Sequence, residues 1–141
     1  MVEYSNTAAR RLAPGGRTTQ TGPVGKFILI VEDDEELRAA VRDVLVDEGY
    51  EVAEAGNGEE ALAALRRPHP PCVMLLDLMM PVMNGWQLMD ALALEPTRPP
   101  PVIITSAMAE SAPAGAAGVL KKPYALERLL KLVETHCSTA S

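Results

Sequence analysis

Five side chains at the ends of apolar runs carry the chemistry that this sequence offers. Phe27-Ile28-Leu29-Ile30-Val31 leads into Glu32-Asp33-Asp34, and Val73-Met74-Leu75-Leu76 leads into Asp77. Gly118-Val119-Leu120-Lys121 leads into Lys122-Pro123, and Ser106 follows Val102-Ile103-Ile104-Thr105. If these runs lie side by side, Glu32, Asp33 and Asp77 come within a few ångströms of one another, where like charges raise each other's pKa values. A divalent cation removes that conflict. Hard oxygen ligands in this number suit Mg²⁺, which keeps several waters and is held by one or two carboxylates plus phosphate oxygens. An aspartate so placed can attack phosphorus and form an acyl phosphate, provided metal and cationic groups stabilise the charge on the equatorial oxygens. Lys122 supplies such a cation, and Ser106 a hydrogen-bond donor. Plainer roles compete: Glu32 to Glu36 also suits a first helical turn, where negative charge is favoured, and Ser106 alone reads as a loop residue. Asp77 is harder to explain away, because a charge ending a buried strand is costly unless paired or coordinated.

The elements that must position these groups are legible in the same runs. Stretches of four or five aliphatic residues, too short for helices and without polar alternation, read as strands buried on both faces, which is the habit of a parallel sheet. In an open parallel sheet, ligands sit outside the carboxyl ends of the strands, where these charges fall. Between the strands the pattern turns helical. Glu35 to Glu48 places Leu37, Val41, Val44 and Leu45 at helical spacing and stops at Gly49. A short strand over Glu51 to Glu54 follows. Asn57-Gly58 opens a helix through Ala61, Leu62 and Leu65 that ends before Pro68, and Asn84-Gly85 opens one with Trp86, Leu88, Met89 and Leu92. A last helix runs from Leu126 to about Thr135. Five parallel strands with covering helices predict a doubly wound α/β domain.

With 141 residues, 48% of them hydrophobic, the chain has material for the core of one domain. Residues 1–25, rich in Thr, Ala, Gly and Arg, read as a disordered tail; residues 26–136 form the domain and 137–141 a short C-terminal tail. A net charge of -6 argues against a nucleic-acid surface, and no window has the apolar length of a membrane span, so the expected location is cytoplasmic. Cys72 and Cys137 lie far apart in sequence without CxxC spacing or neighbouring histidines. They read as reduced structural thiols rather than as a metal site or a disulfide. His69 and His136 read as solvated loop and helix-end residues.

Glu32-Asp33, Asp77-Leu78-Met79-Met80-Pro81 with Gly85 beyond, Ser106-Ala107 and Lys122-Pro123 together resemble the signature of the response-regulator receiver domain of two-component signalling. The resemblance covers about Lys26 to Thr135 and implies a five-stranded parallel sheet of flavodoxin-like order 2-1-3-4-5. It implies that Asp77 accepts a phosphoryl group from a histidine kinase or histidine phosphotransfer protein, and that Glu32, Asp33, Asp77 and the Met79 backbone carbonyl hold Mg²⁺. It further implies that Ser106 and Lys122 bind the phosphoryl oxygens, with Ser106 moving to pass the signal on. Asp34 then starts the next helix and is not a ligand. The protein would signal by binding a downstream partner, or hand its phosphoryl group along a relay, and would be no enzyme beyond catalysing its own phosphorylation and dephosphorylation. No output domain follows, so a stand-alone receiver is expected.

Three departures from that pattern carry further expectations. Only fifteen residues separate Ser106 from Lys122, and Pro113, Gly115 and Gly118 among them penalise helix, so the fourth helix should shrink to a turn or two or become a loop. Val119 stands where receivers commonly carry a Tyr or Phe that swings inward, so the signal would have to travel through the loop after Ser106. Met79 and Met108 are apolar where polar groups could orient an attacking water, which should lengthen the life of the phosphoryl group; gap filling over the site is the competing role for both. A pseudo-receiver scaffold that binds partners without phosphorylation is the alternative function. An aspartyl-phosphate phosphatase of the haloacid-dehalogenase type would want an Asp where Met79 stands.

Overall fold

The computed structural model describes residues 3–4 and 27–137. Along the chain these form β1 (Glu3–Tyr4), β2 (Phe27–Val31), α1 (Glu35–Asp47), β3 (Glu51–Ala55), α2 (Gly58–Leu65), β4 (Val73–Leu76), α3 (Gly85–Ala93), β5 (Val102–Ser106), β6 (Gly118–Lys121) and α4 (Leu126–Cys137). The sheet order is β1-β3-β2-β4-β5-β6. The last five are mutually parallel, with Leu29 opposite both Ala53 and Met74, Leu75 opposite Ile103 and Ile104 opposite Val119. Counted alone they have the flavodoxin-like order 2-1-3-4-5 expected from the sequence.

Period-two alternation sorts the strand residues into two cores. Leu29, Val31, Ala53, Ala55, Met74, Leu76, Val102 and Ile104 face α2 and α3, whose Ala61, Ala64, Leu88 and Leu92 pack against them. Ile28, Ile30, Val52, Val73, Leu75 and Ile103 face α1 and α4, and meet Val41, Leu45, Leu129 and Val133. The helices start where the sequence signals. Asp34 caps α1, accepting from the amides of Glu36 and Leu37. Asn57 caps α2, and Asn84 forms a reciprocal capping box with Gln87 at the head of α3.

The fourth crossover holds a single 3₁₀ turn, Ala109–Ser111, followed by an extended Ala112 and a turn at Ala114 and Gly115. This agrees with the expected loss of helix, and Gly115 sits at φ 95°, a conformation suited to glycine. Trp86 compensates on the inner side: its Nε1–H donates to the Ser111 carbonyl at 2.9 Å, and Ala112 and Ala116 join it over the core. The outer side of β6 goes uncovered, leaving Val119 40% exposed.

Three expectations need correction. Cys72 and Cys137 are joined in a disulfide rather than standing as free thiols, with an S–S distance of 2.00 Å and Cα atoms 5.2 Å apart. Their separation of 65 residues said nothing about distance, because α4 crosses its face of the sheet and ends beside the start of β4. The same packing places Cys137, assigned to the C-terminal tail, inside α4 and fully buried. Within the tail expected to be disordered, Glu3 and Tyr4 form β1 and pair antiparallel with Glu54 and Ala53. An edge strand offers unpaired N–H and C=O groups to any extended segment, and two residues are too few to leave a sequence pattern. The rest of both tails lies outside the described residues. Among the described helices none is long and apolar enough to cross a membrane.

Candidate functional site

The carboxyl ends of β2, β4, β5 and β6 converge on one cleft. Glu32 continues β2, Asp77 continues β4, Ser106 ends β5 and Lys122 follows β6. Glu32 and Asp77 sit one step past fully buried strands and Ser106 ends a third, so the sheet fixes their spacing more tightly than a loop could. Lys122 Nζ lies 2.7 Å from Glu32 Oε1 and 3.4 Å from Asp77 Oδ2. Carboxylate oxygens of Glu32, Asp33 and Asp77 can all lie within 4.8 Å of one another, with Glu32 and Asp77 buried and Asp33 exposed. Ser106 is fully buried. Its Oγ accepts from the Met108 amide at 3.1 Å, leaving its own proton to donate elsewhere. Glu32, Asp33, Asp77 and Lys122 therefore meet in one place, and Ser106 ends the neighbouring strand, its carbonyl accepting from the Lys122 amide at 3.0 Å. The Met79 amide donates to Asp77 Oδ1 at 3.3 Å, so the loop after β4 curls over that carboxylate.

The electrostatics follow from this burial. Glu32 is pushed up to about 7 by its burial, with the Asp77 charge adding to the rise and the Lys122 hydrogen bond holding it down. Burial works to lower the Lys122 ammonium, but the Glu32 hydrogen bond and charge, followed by those of Asp77, outweigh it and leave the group raised. Three acids facing one amine leave negative charge uncompensated at the mouth of the cleft.

The loop from Asp77 to Gly85 is held by close backbone approach. The Gly85 amide donates to the Leu78 carbonyl at 2.9 Å, and a Cβ on Gly85 would stand 2.8 Å from both the Asp77 carbonyl oxygen and Leu78 Cα. Gly58 likewise sits against Met83, its amide donating to the Met83 carbonyl at 2.8 Å. Between these contacts the Met83 amide closes a three-residue turn on the Pro81 carbonyl at 2.7 Å, which holds Val82 at φ 68°. A β-branched residue in that region is strained, and such strain gathers at functional loops.

Sequence reasoning missed Arg38. Its Nη1 donates to the Glu32 carbonyl at 2.8 Å and its Nε to Glu54 Oε1 at 3.1 Å, so it ties the end of β2 to β3 beside the acids. A cation near the start of α1 opposes the helix dipole, and that was the available signal. Tyr124, half-buried against the Lys122 side of the site, was also missed; burial raises its phenol.

Comparison with known proteins places this geometry. The family model for the response regulator receiver domain matches residues 28–134. Over 127 residues the chain is 31% identical to the transcriptional regulatory protein PdtaR of Mycobacterium tuberculosis, covering 85% of this chain and 60% of the relative. It is 33% identical over 116 residues to the chemotaxis protein CheY of Thermotoga maritima, covering 77% of this chain and 94% of CheY. Among solved structures, the receiver domain of NtrX from Brucella abortus superposes with a TM-score of 0.69 at 30% identity, covering 79% of this chain and 98% of that one. The chain belongs to the response regulator receiver family of two-component signalling. It spans about 60% of the length of the first of these relatives.

Proposed function

We propose that this chain is a phosphoacceptor receiver in which Asp77 takes a phosphoryl group from a phosphohistidine donor, a histidine kinase or a histidine phosphotransfer protein, and that it signals through partner binding. The observation that carries the reading is Lys122 Nζ bridging Glu32 and Asp77 at the strand ends, with the buried Ser106 ending β5, the strand between β4 and β6. A carboxylate oxygen of Asp77 attacks phosphorus as the bond to the donor imidazole breaks, and the electron pair leaves with the imidazole. Lys122 then shifts its ammonium from the carboxylates to a phosphoryl oxygen. Ser106 donates its free proton to another oxygen.

Mg²⁺ fits the acids on structural grounds. Three carboxylates share one locus, where burial pushes Glu32 up to about 7 and the neighbouring Asp77 charge adds to the rise. Glu32, Asp33, Asp77 and the Met79 carbonyl would hold it. Asp34 is unsuited because its carboxylate caps α1. When bound, the ion neutralises charge developing on the phosphoryl oxygens.

Because Ser106 Oγ accepts from the Met108 amide, drawing the hydroxyl toward a phosphoryl group pulls on the chain that follows β5. The signal would leave by that loop. The net charge disfavours nucleic acid at this domain's own surface, whereas the word "transcriptional" in a relative's name describes that longer protein. The test is incubation with a small phosphodonor and Mg²⁺, read by intact mass on wild type and Asp77→Asn. One phosphoryl group on wild type and none on the variant supports the reading; no addition to wild type with Mg²⁺ present contradicts it.

A further inference from the structure

The disulfide lies at the other end of the sheet from the acids and has no part in phosphoryl transfer. Cys72 immediately precedes β4, and Cys137 closes α4. The two sulfurs are unequally placed. Cys137 is fully buried in the core shared with Val73, Leu129 and Val133, while Cys72 is only partly buried, at the end of the Pro-rich loop that follows α2. The Cys72 backbone is fixed by its amide, which donates to the Phe27 carbonyl at 2.9 Å, and its Sγ lies 3.4 Å from the same oxygen. The last turn of α4 is held differently. Of residues 134–137 only Cys137 is buried, so its anchorage to the sheet runs through that one side chain. A helix end held in this way opens locally at low cost.

We propose that Cys72 and Cys137 form an exchangeable thiol–disulfide couple that latches the end of α4 to the sheet, and that Cys72 is the modification site through which a low-molecular-weight disulfide enters. The chemistry balances in two displacements. The Cys72 thiolate attacks one sulfur of oxidised glutathione, forming a mixed disulfide and releasing one glutathione thiolate. The Cys137 thiolate, reached as the last helical turn opens, attacks Cys72 Sγ; the second glutathione thiolate leaves and the protein disulfide closes. Two protein thiols lose two protons, and one glutathione disulfide becomes two thiols. A reductant of the same class reverses the sequence by attacking the more accessible Cys72 Sγ. Cys137, when reduced, remains a small apolar side chain in a packed core, so the fold does not depend on the bridge and the latch adds to it.

The test uses the full chain, fully reduced and freed of reductant without air, then exposed to oxidised glutathione. The expected product is a monomer lighter by two hydrogens, with Tm raised by roughly 10 °C through closure of the long loop. Before oxidation, a thiol alkylator should label Cys72 at least ten times faster than Cys137 in the folded wild type. Cys137→Ser should accumulate one glutathione adduct, mapped to Cys72, whereas Cys72→Ser should acquire its adduct at least ten times more slowly. Equal labelling rates in the reduced wild type overturn the assignment of Cys72 as the entry point. Disulfide-linked dimers, or an intramolecular bridge without a rise in Tm, overturn the latch.

Discussion

The two ends of the Ser106–Lys122 interval show how differently one chain treats its chemistry and its exterior. At the strand ends, Glu32, Asp77 and Ser106 are held by the buried strands β2, β4 and β5, a glycine is pressed against the Asp77 backbone, and an ammonium lies between two acids. In the crossover between those same strands, one 3₁₀ turn and a glycine at positive φ replace a helix, and a tryptophan from α3 fills in. Reactive groups need fixed separations, whereas a surface that conveys a state needs only a chain that can move with Ser106. The fold therefore keeps the first and rebuilds the second.

The sharpest way to break that contrast is to remove a charge from the site. Lys122→Ala should slow phosphoryl transfer from a small phosphodonor about 10²-fold, as the loss of one charge-stabilising donor does elsewhere. Val119→Ala, in the crossover region, should change it less than twofold. Similar losses in the two variants would erase the distinction. Next in size is the combined change Met79→Asn with Met108→Glu, two exposed methionines whose amides hold Asp77 and Ser106. It should speed autodephosphorylation by about 10-fold by offering groups that orient water. An unchanged rate would mean the methionines only cover the site.

Stability measurements sharpen the comparison further. Gly85→Ala must push a Cβ to within 2.8 Å of backbone atoms at Asp77 and Leu78, which should cost about 1–3 kcal/mol in a denaturant titration. Gly115→Ala meets open space and suffers only from its φ of 95°, so about 1 kcal/mol is expected. The smallest effect belongs to Trp86→Phe, which keeps the ring and loses the bond to Ser111. About 1 kcal/mol or less is expected, with faster amide exchange confined to the crossover loop.

How much of this was readable beforehand depends on how local the signal was. The runs at Phe27, Val73 and Gly118 matched observed strands residue for residue, and Asn57-Gly58 and Asn84-Gly85 marked helix starts, because short apolar runs and capping are properties of neighbouring residues. The gathering of Glu32, Asp33, Asp77, Ser106 and Lys122 was legible because a parallel sheet puts its strand ends together. The Cys72–Cys137 bridge was not legible, since it depends on where α4 ends relative to β4. Arg38 escaped for a related reason: its partners Glu32 and Glu54 lie on different strands. The role of Trp86 in covering the missing helix required knowing that α3 and the Ser111 loop are neighbours.

The most direct measurement is chemical mapping of the phosphorylated residue. Protein treated with a small phosphodonor and Mg²⁺ is reduced with borohydride, which converts an aspartyl phosphate to homoserine, and is then digested and sequenced by mass spectrometry. Homoserine at position 77, with Asp33 and Asp34 intact, is the predicted result. Homoserine at position 33 or 34, or at no aspartate although phosphoryl groups have been added, would contradict Asp77 as the acceptor.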